Sequence, residues 1–264
     1  MVENLFNRMK LDGWCVVKNV IPASKVTTVR ENILTVTEAH RNPAAPKQIG
    51  HVSGVINHDQ SFAPYLVDER LMSLVEAQIG PNPRISFTSA TTNEPGNARG
   101  DWHADWPFNQ RNAGCILAPY PDMVMHLTTI WMLADFTAET GGTLVVSGSH
   151  RMSNNPTGGF GPGLLEPYPT EVNATGRAGD VLVMDSRLWH ATAPNVSTIK
   201  RTAIVIRYAP WWLDLSILMP GSVTRKRLQA ATGKRENQVP PIPAKVYKGL
   251  SDNVKPLFAH WVGE

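Results

Sequence analysis

The sequence is poor in cysteine and in charge, and it has no long apolar segment. Its 264 residues contain two cysteines, Cys15 and Cys115, which are too few for a disulfide-stabilised scaffold. No run of about 18 apolar residues is available to span a bilayer, and the first residues lack the apolar region of a signal peptide. We therefore expect a cytoplasmic protein without a membrane partner.

Clustered positive charge is also missing. The net charge is +3, and the longest basic run is RKR at 225–227, whereas nucleic-acid-binding proteins carry a concentrated basic surface. We therefore expect no nucleic-acid partner. Hydrophobic residues make up 42% of the chain and charged residues 18%, which is typical of a globular protein with a sizeable core. The sequence gives no indication of the oligomeric state.

Several helix and strand patterns are present. Apolar residues at helical spacing predict a helix that opens near Ser24 and a second helix over 66–80, which Gly80 would end. A short strand is predicted at 13–21. From about residue 83 onward, segments rich in β-branched and aromatic residues and bounded by Gly, Pro, Asn or Asp predict a series of strands.

These patterns predict one domain over residues 1–264. It would comprise a helical N-terminal part over about 1–82, a jelly-roll core over about 83–212, and a C-terminal tail over 213–264 that wraps the surface. Many short strands in one domain are typical of a mainly β fold with flanking helices, such as a sandwich or jelly roll.

The stretch GDWHADWPFNQ at 100–110 contains a His-x-Asp tripeptide. His103 and Asp105 lie two residues apart, so in an extended chain both side chains point to the same face. Converging imidazole and carboxylate groups suggest a metal or a substrate. The tripeptide alone favours a structural hydrogen-bonded pair, so the rest of the chain has to decide.

A second pair of candidates lies further along the chain. The apolar strand in GDVLVMDSRLWHATAP delivers His190 to a strand end, and Arg201 opens the next strand. Residues 194–197 between them have turn chemistry. We predict a hairpin centred near 195/196 that places His190 opposite Arg201 on one inward face. Thr192 would share that face.

Together these residues suit one kind of metal site. Two histidines and one carboxylate bind ferrous iron on one face of its octahedron and leave the other positions open. A bidentate oxo-acid cosubstrate can fill two open positions, and O2 the third. The distal carboxylate of the cosubstrate then needs a permanent cation with fork geometry, which Arg201 supplies, and the hydroxyl of Thr192 could assist it.

The chain resembles the phytanoyl-CoA dioxygenase family of Fe(II)/2-oxoglutarate-dependent oxygenases. The resemblance is carried by GWCVVKNVI, WHADWPF, TIWMLADFTAETGGTLVVSGSHR, GDVLVMDSRLWHATAPN and KRTAIVIRYAP, which together cover about 10–212. It implies a double-stranded β-helix core, a cupin-like jelly roll. It also implies that His103, Asp105 and His190 bind Fe(II), that Arg201 anchors 2-oxoglutarate, and that Trp131 lines the cosubstrate pocket.

The implied activity is hydroxylation of an unactivated C–H bond of a small organic molecule. 2-Oxoglutarate and O2 would be consumed, and succinate and CO2 released. Because the metal carboxylate Asp105 is present, halogenation is disfavoured. Desaturation, epimerisation or oxidative cyclisation of a natural-product intermediate stays open, and a non-catalytic cupin-like binder is the alternative of another class. The reducing cytoplasm expected above would preserve ferrous iron.

Four further residues are candidates for contact with a small-molecule substrate. Arg207 lies an even number of residues beyond the anchor arginine, so an unbroken strand would aim it at the same site, where it could bind an acidic group; a surface ion pair is the alternative. His51 lies where, by the resemblance, the phytanoyl-CoA dioxygenase family often builds a pocket wall. Asn109 and Arg111 belong to the connection 107–127, which is either an active-site lid or a solvated loop.

Overall fold

Two antiparallel sheets form the centre of the computed structural model. It describes residues 2–106, 108, 119, 121–153, 156, 163–233 and 238–263. The strands of this part of the chain are β1 (Trp14–Val17), β2 (Ile49–Ser53), β3 (Arg84–Asn93), β4 (Leu127–Met132), β5 (Thr143–Val146), β6 (Glu171–Ala174), β7 (Val181–Asp185), β8 (His190–Thr192) and β9 (Arg201–Ala209). The larger sheet has the order β1-β7-β4-β9-β3-β2, and the smaller sheet has the order β6-β5-β8.

The two sheets share an apolar interior. Met132 and Leu182 from the larger sheet pack with Val145 and Ala174 from the smaller one in a single buried cluster. The pairings within both sheets are antiparallel. The mainly β, cupin-like jelly roll expected from the sequence is confirmed, as two facing sheets rather than a closed barrel.

Helices cover the other face of the larger sheet. The helices of the described chain are α1 (Val2–Asp12), α2 (Ala23–His40), α3 (Glu69–Ile79), α4 (Val223–Thr232) and α5 (Ala244–Gly249). Apolar residues of α2 and α3, such as Ile33 and Leu74, join Ile204 and Ile206 of β9 in one core. None of the helices in these described ranges is long and apolar enough to cross a membrane.

The two predicted helices are present, with limits set by local chemistry. In α3 the carboxylate of Asp68 accepts hydrogen bonds from the backbone N–H groups of Arg70 and Leu71 at 3.1 Å each, which is an N-cap. Gly80 ends the helix with φ +85°, a left-handed value that disfavours residues with a Cβ.

The N-terminal part contributes more strand than its sequence predicts. Strand β2, with the sequence IGHVS, pairs with β3, and His51 lies opposite Thr91. The segment has no strong strand pattern because it has only two large apolar residues and a glycine. Pairing with β3 stabilises β2 at the edge of the sheet and fixes the position of His51 on this strand.

The predicted hairpin of residues 190–201 is wrong. Strand β8 pairs with β5 in the smaller sheet, whereas β9 pairs with β3 and β4 in the larger one. The turn itself is present, since the Asn195 side-chain oxygen accepts hydrogen bonds from the N–H and the hydroxyl of Ser197 at 3.1 and 2.7 Å. The turn lets the chain cross between the sheets, so His190 and Arg201 face each other across the interior.

The C-terminal tail is more helical than expected. It contains α4 and α5, both within the segment 213–264 that was expected to wrap the surface without a predicted helix. Beyond α5 the chain returns, so that the N–H of Ile242 donates to the carbonyl of Trp261 at 2.8 Å. The sequence pattern does not indicate α5, because this helix has only six residues and follows a proline-rich run.

Removal of core volume from α2 tests the packing of the helices on the sheet. Ile33 is fully buried, whereas Ile199 is 49% exposed. We expect Ile33→Ala to lower the free energy of unfolding by about 2–5 kcal/mol, because it leaves a cavity, and Ile199→Ala to change it by less than about 1 kcal/mol. Urea unfolding measures both, and equal losses would contradict the described packing.

Candidate metal centre and cavity

Three potential metal ligands converge between the sheets. The backbone of His103 pairs with that of His190 through two hydrogen bonds of 3.0 and 2.9 Å, which places their rings 4.2 Å apart between centroids. Asp105 is 2% exposed. One nitrogen of each histidine and one oxygen of Asp105 all lie within 4.8 Å of one another. The convergence expected from the His-x-Asp spacing is therefore present in the structure.

Backbone carbonyls orient both imidazoles. Nδ1 of His103 lies 2.9 Å from the carbonyl oxygen of Asp101, and Nδ1 of His190 lies 2.9 Å from that of Leu188. A neutral ring that donates from Nδ1 keeps the lone pair of Nε2 free for a metal. Burial, reinforced by the neighbouring His103, lowers the pKa of His190 to about 4, so this imidazole is neutral near pH 7.

The carboxylate of Asp105 is held at both oxygens. Oδ1 accepts a hydrogen bond from Nη2 of Arg207 at 2.6 Å, and Oδ2 accepts one from the hydroxyl of Thr128 at 2.8 Å. Oδ2 is also 3.7 Å from Nε2 of His190. Burial alone would raise the pKa of Asp105, but Arg207, the two histidines and Thr128 together hold it well below its usual range. The carboxylate is therefore ionised and oriented.

A cavity of about 220 Å³ adjoins these ligands and is lined by both sheets. The predicted site residues Thr192, Arg201, Arg207 and His51 all line it. They come from β8, from the two ends of β9 and from β2. The structure thus brings together residues that are distant in the chain.

Arg201 is a buried cation without an acidic partner in the described part of the chain. The residue is 4% exposed, its Nε has no hydrogen-bond partner among the described residues, and its guanidinium lies 4.6 Å from the ring centre of Phe136. Burial lowers the pKa of Arg201 to about 10, so it stays protonated near neutral pH. An unpaired buried charge is strongly unfavourable, and an anion bound beside Arg201 would compensate it.

Trp131 does not line the cavity, contrary to the expectation from the family resemblance. Its side chain is fully buried in the core under the helices, and its Nε1 donates to the hydroxyl of Thr129 at 2.9 Å. Side chains alternate along β4, so the cavity receives Thr128 and Ile130 instead. Parity along β4 is the signal that would have identified Thr128 from the sequence.

Asn109, Arg111 and most of the predicted lid 107–127 lie outside the described residues. Of the parts of that segment that are described, His126 precedes β4 and is buried. Its Nε2 and Nδ1 lie 2.7 and 2.9 Å from the hydroxyls of Ser86 and Ser186. The hydroxyl of Ser186 in turn lies 2.8 Å from that of Thr128. A buried polar chain therefore extends from His126 to Asp105, which sequence reasoning missed.

The fold is a cupin-like jelly roll, and two histidines and one carboxylate that could hold a metal ion lie between its sheets. The model of the phytanoyl-CoA dioxygenase (PhyH) family matches residues 9–203, and the chain belongs to this family. Dioxygenase af480 of Aspergillus fumigatus is 29% identical over 151 residues, which are 57% of this chain and 45% of that protein. A probable alpha-ketoglutarate-dependent hypophosphite dioxygenase of Stutzerimonas stutzeri is 28% identical over 155 residues, 53% of this chain and 50% of that protein. This chain thus matches about half the length of each of these relatives.

Solved structures share the fold. The epimerase SnoN, in complex with Fe3+, alpha ketoglutarate and nogalamycin RO, superposes with a TM-score of 0.63 at 20% identity and covers 79% of this chain and 83% of its own. HygX from Streptomyces hygroscopicus, with nickel, 2-oxoglutarate and hygromycin B bound, gives a TM-score of 0.60 at 18% identity and covers 81% of this chain and 89% of its own.

The hydroxyl of Thr128 should support metal binding through Asp105. We expect Thr128→Val, which keeps the shape but removes the donor to Oδ2, to weaken Co(II) binding about 10–100-fold, as loss of partners of ligand residues commonly does. The matched control is Thr129→Val. Its hydroxyl donates to the carbonyl of Ile206 on the other face of β4, so Co(II) affinity should be kept. Equal affinities of Thr128→Val and wild type in a spectroscopic titration would contradict this role.

Burial of neutral His126 should make stability depend on pH. Burial, with Arg207 acting in the same direction, lowers the pKa of His126 to about 3, whereas an unfolded histidine has a pKa near 6.5. The unfolded chain then binds a proton that the folded protein does not, so the free energy of unfolding falls as the pH decreases from about 6.5 towards 3. His126→Gln should make this dependence less steep by about one proton, as measured by urea unfolding across this pH range. Identical slopes would show that His126 is not the group responsible.

Proposed function

We propose that the protein is an Fe(II)- and 2-oxoglutarate-dependent dioxygenase that hydroxylates an unactivated C–H bond of a small organic molecule. The observation that carries the proposal is the buried guanidinium of Arg201, which has no acidic partner among the described residues and shares a cavity with the cluster of His103, Asp105 and His190. A metal-binding protein without a cosubstrate has no need of that cation. The family membership supports the same reading.

The residues present fit ferrous iron and its cosubstrate. His103 and His190 would bind the metal through Nε2, and Asp105 through Oδ2, which is the oxygen nearer to His190. Iron(II) bound there would allow O2 to oxidise both 2-oxoglutarate and the substrate. One oxygen atom would enter succinate as 2-oxoglutarate loses CO2, and the other would enter the hydroxylated product.

The protein's own side chains would position the cosubstrate. Arg201 would pair with the distal carboxylate of 2-oxoglutarate through its fork of N–H groups, and Thr192 lies on the same cavity wall, where its hydroxyl can donate to that carboxylate. The ion pair between Arg201 and this carboxylate would compensate the buried positive charge of the guanidinium. The two sheets keep the pair away from bulk water, which strengthens it.

For the substrate side, we propose contacts from Arg207 and His51, which line the cavity, and from Asn109 and Arg111 on the basis of their place in the chain. We also propose a cytoplasmic location, since ferrous iron and the free, buried thiol of Cys15 both persist in a reducing compartment.

A second outcome of the same iron chemistry is favoured by the structural neighbours. SnoN is described as an epimerase, and SnoK, which is 19% identical with a TM-score of 0.60, as a carbocyclase. Epimerisation, desaturation or cyclisation of a natural-product intermediate would use the same metal and cosubstrate residues and differ in the fate of the substrate after a hydrogen is removed. A non-catalytic cupin-like binder is disfavoured by Arg201.

Anaerobic addition of Fe(II) and 2-oxoglutarate to the protein tests the proposal. We expect the weak visible charge-transfer band of the chelate to appear with wild type. His103→Ala should lose the band through loss of iron. Arg201→Ala should keep iron binding but weaken 2-oxoglutarate binding at least tenfold, because the distal carboxylate loses its partner.

The control is Arg151→Ala, which removes an exposed arginine whose nearest acidic contact is 3.9 Å away, and which should titrate like wild type. If wild type binds no iron and gives no band, the dioxygenase proposal fails, and the chain is better treated as a binder.

A further inference from the structure

Arg207 is held in place by two contacts but keeps unused hydrogen-bonding capacity. Its Nη2 donates to Asp105, and its guanidinium lies 4.4 Å from the ring centre of Phe87. Its Nε is buried and has no hydrogen-bond partner in the described part of the chain. An arginine has five N–H donors in a rigid fork, and the described pair with Asp105 uses Nη2, so the remaining donors of the two terminal nitrogens are left for a ligand in the cavity that Arg207 lines.

The charges around the cavity do not cancel. Among the described residues that line it, Arg201 and Arg207 are the arginines and Asp105 is the acid. Iron(II) and 2-oxoglutarate carry equal and opposite charges, so loading both leaves the balance unchanged. Among these described residues one positive charge therefore remains between the two sheets, where an uncompensated buried charge is costly.

Neutral polar groups continue the wall beside Arg207. Ser89, Thr91 and His51 line the same cavity on β3 and β2, and Nδ1 of His51 lies 3.4 Å from the hydroxyl of Thr91. Burial, with Arg207 acting in the same direction, lowers the pKa of His51, which keeps this imidazole uncharged near neutral pH. The wall thus offers hydroxyl and imidazole groups next to a single cation.

We infer that the substrate is a small monoanionic acid whose oxyanion, a carboxylate or a phosphonate, binds to the free N–H groups of Arg207. The inference rests on the proposed function, since it places the acid beside the loaded metal and 2-oxoglutarate. A fork of N–H donors matches the two oxygens of such an anion. Ser89 lines the same cavity and lies opposite Val205, two residues from Arg207, and its hydroxyl is a further donor on that wall.

The cavity size agrees with a short acid. Its volume of about 220 Å³ is below the roughly 300–1,000 Å³ of ordinary small-molecule sites, and 2-oxoglutarate must occupy part of it. Arg207 can serve both Asp105 and the substrate because the two use different N–H groups. Substrate and metal ligand are then joined through one guanidinium.

The test uses protein loaded with Zn(II) and saturating 2-oxoglutarate, so that binding is measured without turnover. Isothermal titration compares acetate, propanoate and methylphosphonate with the uncharged acetamide and propanamide. We expect at least one acid to bind at least tenfold more tightly than the amides, and the preferred acid distinguishes a carboxylate from a phosphonate site. A further increase in the 2-oxoglutarate concentration should not displace the acid, because the acid binds to Arg207 and 2-oxoglutarate to Arg201.

Three variants complete the test. Arg207→Gln should lower the affinity for the acid at least tenfold, and Arg207→Lys should retain part of it because the charge remains. Arg99→Gln removes an arginine that pairs with Glu171 and does not line the cavity, so it should bind the acid like wild type. Zinc and 2-oxoglutarate binding are titrated first for every variant, so that the acid is tested on loaded protein.

The inference is overturned if none of the acids binds more tightly than the amides to loaded wild type, if Arg207→Gln binds the acid as wild type does, or if excess 2-oxoglutarate displaces it. Failure of the proposed function looks different, since wild type would then not bind 2-oxoglutarate in the preceding titration.

Discussion

The ion pair between Arg207 and Asp105 connects the two halves of the site. Arg207 belongs to the larger sheet, whereas Asp105 follows the backbone pairing of His103 with His190 on the smaller one. At 2.6 Å and almost fully buried on the carboxylate side, the pair fixes one oxygen of Asp105 and directs the other towards the histidines. Burial raises the pKa of Asp105, and Arg207 makes the largest contribution that opposes this rise and keeps the carboxylate ionised.

Arg201 complements this arrangement by being left unpaired. Two arginines six residues apart on β9 face the same cavity, but only Arg207 has a carboxylate within the described structure. A buried cation without a partner lowers the stability of the protein alone, and ligand binding recovers that loss. The two arginines therefore have different roles in the proposed site. Arg207 orients the candidate metal ligand Asp105, and Arg201 would bind an anion.

The comparison of sequence and structure shows which kinds of pattern are informative. The helical spacing of Val26, Val29 and Ile33 predicted α2, and all three residues are buried. Strand parity placed Arg207 on the side of Arg201 correctly, because β9 is regular over that interval. The assignment of Trp131 to the cavity was wrong because it was taken from the resemblance alone. Side chains alternate along β4, and Trp131 is three residues from Thr128, so the two side chains lie on opposite faces.

The sequence by itself determined a mainly β fold with flanking helices, the spacing of His103 and Asp105, and the presence of a cation near the start of β9, because these depend on periodicity and local chain geometry; the choice of a jelly roll over another sandwich came from the family resemblance. Only the tertiary structure decided that His190 and Arg201 lie in different sheets and meet across the interior, that β2 forms at all, and that Arg207 binds Asp105. Those outcomes depend on pairings between distant segments, and local preferences carry no information about which distant strands pair or which charges become buried together.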